Sequence, residues 1–191
     1  MDRDAELELI AALRRSEDGA FAVVYDRYRS RLFTFILRMV NRRAIAEELA
    51  QELWMRLAVR APSLREDTRL EPWLFTVARN LCLSYWRTRG IEGLTDAEAV
   101  ERLPDRGVSP DRSAQSHELR AQLERALTRL ARPYREALLL VAVEGMSPAT
   151  AAAVCGLSPE AMRKRVERAR TMLAEEIRMP RQRRASAERE P

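Results

Sequence analysis

The sequence predicts an all-α protein made of two small helical domains joined by a flexible linker. Glycine is scarce, with 6 residues among 191, runs of β-branched residues are short, and apolar residues recur three or four positions apart along most of the chain. The periodicity fails between residues 90 and 113, where glycines and prolines accumulate among charged residues, as in a linker. We therefore divide the chain into a first domain at 1–89, a linker at 90–113 and a second domain at 114–179.

Four helices are predicted in the first domain. The first covers residues 4–15, and after a polar break the second carries an apolar stripe over 21–39. The third covers 43–60, with apolar residues at four-residue steps, and Pro62 ends it. Pro72 suits the first turn of a fourth helix, which is expected to continue to about residue 89.

The second domain carries the pattern of a helix-turn-helix. Ser147-Pro148 places a capping hydroxyl before a helix-starting proline, and Ser158-Pro159 repeats this device eleven residues later. Two short helices joined by a tight turn at Gly156 are therefore predicted, and in such a motif the first helix braces the second against the DNA major groove. Residues 180–191 are polar and arginine-rich and are expected to be disordered.

The residues that usually carry catalysis are few and scattered. His117 is the single histidine, so the chain has few of the imidazole groups from which catalytic triads and metal sites are usually built. Cys82 and Cys155 lie far apart without metal-site spacing and are predicted to be buried free thiols. The sequence also lacks a Gly-rich phosphate loop and a nucleophile–base pair. We expect no enzymatic activity and no cofactor or metal.

The charge composition allows nucleic-acid binding without proving it. Basic residues number 34 and acidic residues 29, a net charge of +5, and every basic residue except Lys164 is arginine. The planar fork of arginine suits phosphates and guanine edges, although a charge of this size also fits an ordinary solvated surface. No stretch approaches the roughly 18 apolar residues that span a bilayer, and the acidic start is unlike a signal peptide. We expect a cytoplasmic protein with no membrane insertion.

The second helix of the predicted helix-turn-helix has an apolar face and a polar face. Met162, Val166, Ala169 and Leu173 share the face that is expected to pack inward. The other face offers arginine and lysine for guanine or phosphate and glutamate for cytosine. The candidate DNA-contacting residues are Ser158, Glu160, Arg163, Lys164, Arg165, Glu167, Arg168 and Arg170. A plain amphipathic surface helix remains the alternative interpretation.

Two segments of the first domain carry further signals. Residues 46–57 place Glu47, Glu48, Gln51 and Glu52 opposite the leucine stripe, and like charges one turn apart suggest a basic partner or an ordinary solvated face. Residues 73–89 interleave aromatic residues with arginines near the end of a helix. Aromatic rings and cations together suit unstacked single-stranded bases.

Together these segments resemble the extracytoplasmic-function sigma factors of the sigma-70 family. Residues 46–57 resemble the family's polymerase-binding helix, 73–81 its promoter-melting helix and 163–170 its recognition helix. The resemblance implies a sigma factor that binds core RNA polymerase and directs promoter recognition, promoter melting and transcription initiation. The loop at 62–71 would help form the pocket for a flipped base.

The resemblance also assigns partners. The clamp helices of the largest polymerase subunit would meet Glu47, Glu48, Gln51 and Glu52. Single-stranded DNA of the minus-ten element would meet Arg79, Asn80, Ser84, Trp86, Arg87 and Arg89. Duplex DNA of the minus-thirty-five element would meet the polar face of the recognition helix. A cognate anti-sigma factor that covers these faces is expected.

The sequence departs from the family at a few positions. The family usually has aspartate where this chain has Ser84, and an acidic residue and isoleucine where it has Thr150 and Ala151. These departures affect the expected promoter preference more than the expected family. Two rival interpretations remain open at this point: a helix-turn-helix regulator that acts without joining polymerase, and a helical interaction protein that mimics a sigma factor.

Overall fold

The computed structural model describes the backbone of residues 2–89 and 114–187 and the side chains of 2–89 and 118–178. Over these residues the regular elements are helical. They are α1 Arg3–Arg14, α2 Ala20–Val40, α3 Arg43–Arg60, α4 Leu70–Thr88, α5 Ala114–Arg129, α6 Arg132–Leu138, α7 Pro148–Cys155 and α8 Pro159–Ala187. A 3-10 turn at Ala61–Ser63 follows α3, and a π-helical turn at Leu139–Val143 extends α6. The prediction of an all-α, two-domain chain is confirmed, and the predicted linker at 90–113 lies outside the described residues.

The core of the first domain is built on α2, whose buried positions follow a four-residue step. Val24, Tyr28 and Leu32 are at most 3% exposed, because this step keeps them on one side of the helix. Phe35 then meets Phe75 of α4 edge to face, with ring centroids 5.3 Å apart. This contact fixes α4 against the domain core.

Glu6 of α1 supports the start of α4 from inside the first domain. Its side chain is buried, and its Oε1 accepts the backbone N–H of Leu70 at 3.0 Å, while Arg3 donates to its Oε2 at 2.7 Å. The N-cap position of α4, Arg69, makes no side-chain capping bond. Glu6 therefore supplies from another helix the acceptor that a capping residue usually provides.

We expect Glu6→Ala to lower the free energy of unfolding by about 1–2 kcal/mol, because it leaves the N–H of Leu70 without its carboxylate acceptor. Chemical denaturation followed by circular dichroism measures the change. Glu8→Ala is the matched control, since Glu8 lies exposed on the same helix. Equal midpoints for the two variants would contradict this account of Glu6.

The second domain packs α5, α6 and α7 against α8. Met162, Val166 and Ala169 of α8 are at most 6% exposed, which confirms the apolar face predicted from their spacing. Ala151 of α7 is fully buried beside them. The small side chain of Ala151 lets α7 and α8 approach each other, but it buries less apolar surface than isoleucine would.

Helix α8 is longer than predicted. The sequence suggested two short helices and a disordered tail over 180–191, whereas the backbone is helical as far as Ala187. Residues 181–187 are arginine, glutamine, alanine and serine, most of which favour helix, and extending an existing helix avoids the cost of nucleation. The remaining predicted tail, 188–191, lies outside the described residues.

The two domains lie against each other. Helix α4 contacts α7, and α2 contacts α6, so that the buried residues of both domains form one continuous apolar cluster. In this conformation the domains are closed.

Candidate nucleic-acid and polymerase interfaces

The helix-turn-helix is capped as its sequence predicts. The Ser147 Oγ accepts the N–H of Thr150 at 3.1 Å, and the Ser158 Oγ accepts the N–H of Ala161 at 3.1 Å. Between the helices, Gly156 has φ +66°, and this left-handed conformation favours glycine. These local bonds fix the direction in which α8 leaves the turn.

The predicted recognition surface is on the solvent side of α8. The side chains of Ser158, Glu160, Arg163, Lys164, Glu167, Arg168 and Arg170 are exposed, and Arg165 is half-buried. Lys164 pairs with Glu160 one turn earlier at 2.7 Å. Since such an exposed pair is weak, Lys164 can exchange Glu160 for a DNA contact at little cost.

The predicted polymerase-binding residues lie on the outer face of α3. Glu47, Glu48 and Gln51 are exposed and Glu52 is half-buried. Two of these carboxylates already pair with arginines on the same helix, in the pairs Arg43–Glu47 at 2.9 Å and Arg56–Glu52 at 2.7 Å. These pairs offset the repulsion between neighbouring glutamates.

An aromatic groove between α2 and α3 borders the acidic residues, and sequence reasoning missed it. Trp54 lies edge-on to Tyr25 and Phe21, with ring centroids 4.9 Å and 6.1 Å apart, and Glu47 and Gln51 line the same groove. Phe21 begins the apolar stripe predicted over 21–39, but its side chain is 37% exposed. The one-turn spacing of Phe21 and Tyr25 opposite Trp54 was the available signal.

Helix α4 divides its predicted DNA-facing residues between two faces. Four of them are exposed, namely Asn80, Ser84, Arg87 and Arg89. The side chain of Arg79 is 18% exposed and Trp86 is 4% exposed. Successive helical residues are about 100° apart, so positions 79, 82 and 86 share one face and 80, 84 and 87 share another. The first of these faces is turned towards the second domain.

Residues of the second domain contact both Arg79 and Trp86. The Nε of Arg79 donates to the Oε1 of Glu136 at 2.5 Å, and the guanidinium of Arg132 lies 4.0 Å from the centroid of the Trp86 ring, within cation–π range. The indole N–H of Trp86 is buried and has no hydrogen-bond partner among the described residues. Two of the predicted contacts to single-stranded DNA are therefore covered in this conformation.

Two further ion pairs join the domains. Arg31 donates to Glu144 at 2.9 Å, and Arg38 pairs with Glu124 at 2.5 Å. Burial raises the pKa of Glu144 although Arg31 acts in the opposite sense. Burial tends to lower the pKa of Arg31, but its hydrogen bonds to Glu71 and Glu144 prevail and raise it.

Both cysteines lie near the same interdomain contact. Cys82 and Cys155 are buried free thiols, as predicted. Burial, reinforced by the negative charge of Glu136, raises the pKa of both thiols, that of Cys155 to about 12. Because the thiolate is the nucleophile, both side chains are poorly reactive while the domains stay closed.

The loop at 62–71, predicted to help hold a flipped base, is tied to α1. Arg14 pairs with Glu66 at 2.6 Å, and Arg3 donates to the carbonyl of Asp67 at 2.9 Å. A hydrogen bond and the positive charge from Arg65 lower the pKa of Asp67. The loop is therefore ordered by charged contacts next to the start of α4.

Among the residues that the structure describes, no helix is both long enough and apolar enough to cross a bilayer. The described part of the chain likewise brings together no group of three or more histidine, cysteine, aspartate or glutamate side chains that could hold a metal ion.

Comparisons with known protein families identify both domains. The model of sigma-70 region 2 matches residues 24–91, and that of sigma-70 region 4 matches residues 120–173. A region 2 followed by a region 4 defines a sigma factor of RNA polymerase. The chain is 33% identical over 167 residues to the RNA polymerase sigma factor CarQ of Myxococcus xanthus, covering 85% of this chain and 94% of CarQ.

A second relative bears the name of the subfamily. The chain is 33% identical over 129 residues to the ECF RNA polymerase sigma factor EcfG of Rhodopseudomonas palustris, covering 68% of this chain and 69% of EcfG. The chain belongs to the extracytoplasmic-function sigma factors of the sigma-70 family.

Solved structures show the same fold. The sigma factor RpoE of Bartonella quintana, in complex with the anti-sigma factor NepR, matches with a TM-score of 0.67 and 26% identity over 84% of this chain and 98% of RpoE. CnrH, in complex with the cytosolic domain of CnrY, matches with a TM-score of 0.68 and 22% identity over 90% of this chain and 96% of CnrH.

Proposed function

We propose that this sigma factor joins core RNA polymerase through α3, captures the melted minus-ten strand with α4, and reads the duplex minus-thirty-five element with α8. The observation that carries the proposal is the placement of three chemically distinct surfaces on three helices, in the order that the family resemblance implies. Each step is a binding step, so we assign the chain no bond-making chemistry. The rival interpretations account for fewer of these surfaces.

For polymerase, the acidic residues of α3 and the aromatic groove beside them offer complementary kinds of contact. Glu47, Glu48 and Gln51 supply exposed polar contacts at the rim of the surface, and Trp54 and Tyr25 supply apolar area next to them. Interfaces commonly combine aromatic anchors with a charged rim that steers association. A basic, helical partner such as the clamp helices suits this surface.

Charge reversal at Glu48 tests the polymerase-binding surface. We expect Glu48→Arg to raise the Kd for purified core polymerase about tenfold at low salt, because an exposed acidic contact becomes repulsive. Fluorescence anisotropy of labelled protein measures the Kd. Glu8→Arg, with the same change of charge at an exposed position of α1, is expected to bind as the wild type does. Equal binding by both variants would remove α3 from the proposal.

For DNA, the exposed face of α4 carries the groups that a single strand needs. Asn80 and Ser84 can hydrogen-bond base edges, and Arg87 and Arg89 can contact phosphates. Ser84 stands where the family usually has aspartate, so this face lacks one negative charge. The absence of that charge favours binding of an anionic DNA strand. Run-off transcription with purified core polymerase, followed by mapping of start sites, would identify the promoter, and an absence of core-dependent transcripts would overturn the proposal.

The two elements cannot be read by the closed chain at the same time. The centres of the minus-ten and minus-thirty-five elements are separated by roughly 85 Å of B-form DNA. A packed chain of this length has a radius of gyration of only about 16 Å. The 24 residues of 90–113 can extend over at most about 80 Å, which is enough to let the domains separate along the promoter. Initiation therefore requires that the domains open.

We also propose an anti-sigma protein as a partner. The solved relative RpoE is bound to the anti-sigma factor NepR, and the aromatic groove and acidic helix of this chain offer an exposed surface of the kind that a helical inhibitor could cover. Occupation of that surface would exclude core polymerase.

A further inference from the structure

The closed conformation places acidic side chains of one domain on basic side chains of the other. Among the residues that the structure describes, three such pairs join the domains, Arg31–Glu144, Arg38–Glu124 and Arg79–Glu136. In each pair the arginine belongs to the first domain and the glutamate to the second. The side chains of the glutamates are 20% exposed or less, so water screens these contacts less than it screens ordinary surface pairs.

One of these pairs involves the helix that is proposed to capture DNA. The carboxylate of Glu136 accepts from Arg79 as a phosphate oxygen would, through a charge-assisted hydrogen bond. The guanidinium of Arg132 lies over the face of Trp86, which is a face on which a base could stack. The second domain thus supplies an anion to Arg79 and a planar cation to Trp86. These groups occupy the positions that a phosphate and a stacked base of single-stranded DNA would otherwise take.

We propose that the second domain is an internal inhibitor of strand capture, whose acidic face and Arg132 compete with single-stranded DNA for Arg79 and Trp86 of α4. The inference rests on the proposed function, because it assigns these two side chains to the melted strand. Contact with polymerase and duplex DNA draws the second domain away and uncovers α4. In the absence of polymerase, the chain consequently binds single-stranded DNA more weakly than expected from its exposed arginines.

The chemistry of the contact suits reversible closure. Burying charged groups incurs a desolvation penalty that offsets much of the attraction within each pair. The buried indole N–H of Trp86, which lacks a partner among the described residues, regains a hydrogen bond with water when the domains separate. The tether at 90–113 keeps the second domain at a high effective concentration, so weak contacts are enough to close the chain.

The two cysteines provide a native reporter of opening. Cys82 on α4 and Cys155 on α7 both lie near Glu136 and are buried in the closed chain. Separation of the domains exposes this region to solvent. The rate at which an uncharged maleimide labels each thiol, resolved by mass spectrometry, therefore measures opening without DNA or polymerase.

The opening variant carries Glu124→Gln and Glu144→Gln. Glu136 is left in place, because its charge itself raises the pKa of both thiols and its removal would speed labelling without opening. We expect maleimide labelling to accelerate by roughly tenfold, because two partly buried charged contacts between the domains are lost. The probe for DNA is a fluorescent single-stranded oligonucleotide that carries the non-template strand upstream of a start site mapped with the wild-type protein. Its Kd is expected to fall by a similar factor.

The matched control carries Glu118→Gln and Glu176→Gln. It has the same change in net charge, but both glutamates pair with arginines of the second domain itself. We expect it to label like the wild type, and any non-specific gain in DNA binding from added positive charge will appear here. Equal labelling rates in the opening variant and this control would overturn the proposal.

A charge swap separates opening from a general loss of structure. Glu124→Arg alone should speed labelling, and Glu124→Arg combined with Arg38→Glu should return it towards the wild-type rate. Absence of this rescue would show that the pairs do not hold the domains together, which overturns the proposal. Faster labelling without tighter oligonucleotide binding would show closure without inhibition and would also overturn it. Failure of the proposed function is recognised separately, as an absence of core-dependent transcription from the wild-type protein and all variants.

Discussion

Reversal of two charges on α8, in the variant Arg163→Glu/Lys164→Glu, is expected to reduce transcription from a minus-thirty-five-dependent promoter by about 100-fold or more. Both side chains are exposed near the start of the helix, where a recognition helix contacts base edges. Loss of a good bidentate contact costs about 1–3 kcal/mol, and repulsion from the phosphates adds to that loss. Run-off transcription with saturating core polymerase measures the effect.

The control for this prediction changes the promoter as well as the protein. On a template whose minus-thirty-five element has been replaced, the wild-type protein is itself weak, so the same variant should produce little further loss. Arg125→Glu/Arg129→Glu applies an equal change of charge on α5, away from the recognition helix, and should transcribe nearly as the wild type does. Unchanged transcription by Arg163→Glu/Lys164→Glu would contradict the assignment of α8 to promoter reading.

The helices and the helix-turn-helix could be predicted because their signals are local. The third helix was predicted with the observed limits, Arg43–Arg60, because proline and the apolar period mark a helix in sequence. The capping serines, Ser147 and Ser158, likewise act over three residues. Hydrogen bonds between residues that are close in sequence, such as these caps, can therefore be predicted from residue types and their spacing.

Contacts between the domains could not be predicted in the same way. Arg79 and Trp86 carry the side chains that suit single-stranded DNA, and nothing near them in sequence indicates that Glu136 and Arg132 cover them. The charges of these pairs are complementary, but 33% of the chain is charged, so many pairings are equally consistent with the sequence. Geometry decides among them, and it becomes visible only when the helices are packed.

Arg135 is the residue whose importance was least evident from the sequence. It is fully buried, which is rare for arginine. Its guanidinium donates to the carbonyls of Leu127, Thr128 and Leu130 near the end of α5 and to those of Arg38 and Met39 near the end of α2. Terminal carbonyls of a helix have no partner within the helix, and the negative end of the helix dipole favours a cation. One side chain therefore completes a helix end in each domain.

We expect Arg135→Met to lower the free energy of unfolding by roughly 3 kcal/mol or more, because methionine fills much of the space but leaves buried carbonyls without a donor. Guanidinium denaturation followed by circular dichroism measures the change. The three tryptophans, at positions 54, 73 and 86, all belong to the first domain. Their fluorescence should shift to a lower midpoint as well, although the substitution is in the second domain, because the end of α2 also loses hydrogen bonds.

Arg129→Met is the matched control for this substitution. Arg129 is exposed and pairs with Glu176 at 3.2 Å, and removal of such a surface pair changes stability by less than about 1 kcal/mol. Arg135→Lys should fall between the two, since an ammonium keeps the charge but cannot reach both helix ends as a planar fork does. If Arg135→Met moved the circular dichroism midpoint while the tryptophan midpoint stayed in place, Arg135 would stabilise its own domain without bridging to the first. An unchanged midpoint by both probes would mean that the buried guanidinium contributes no net stability.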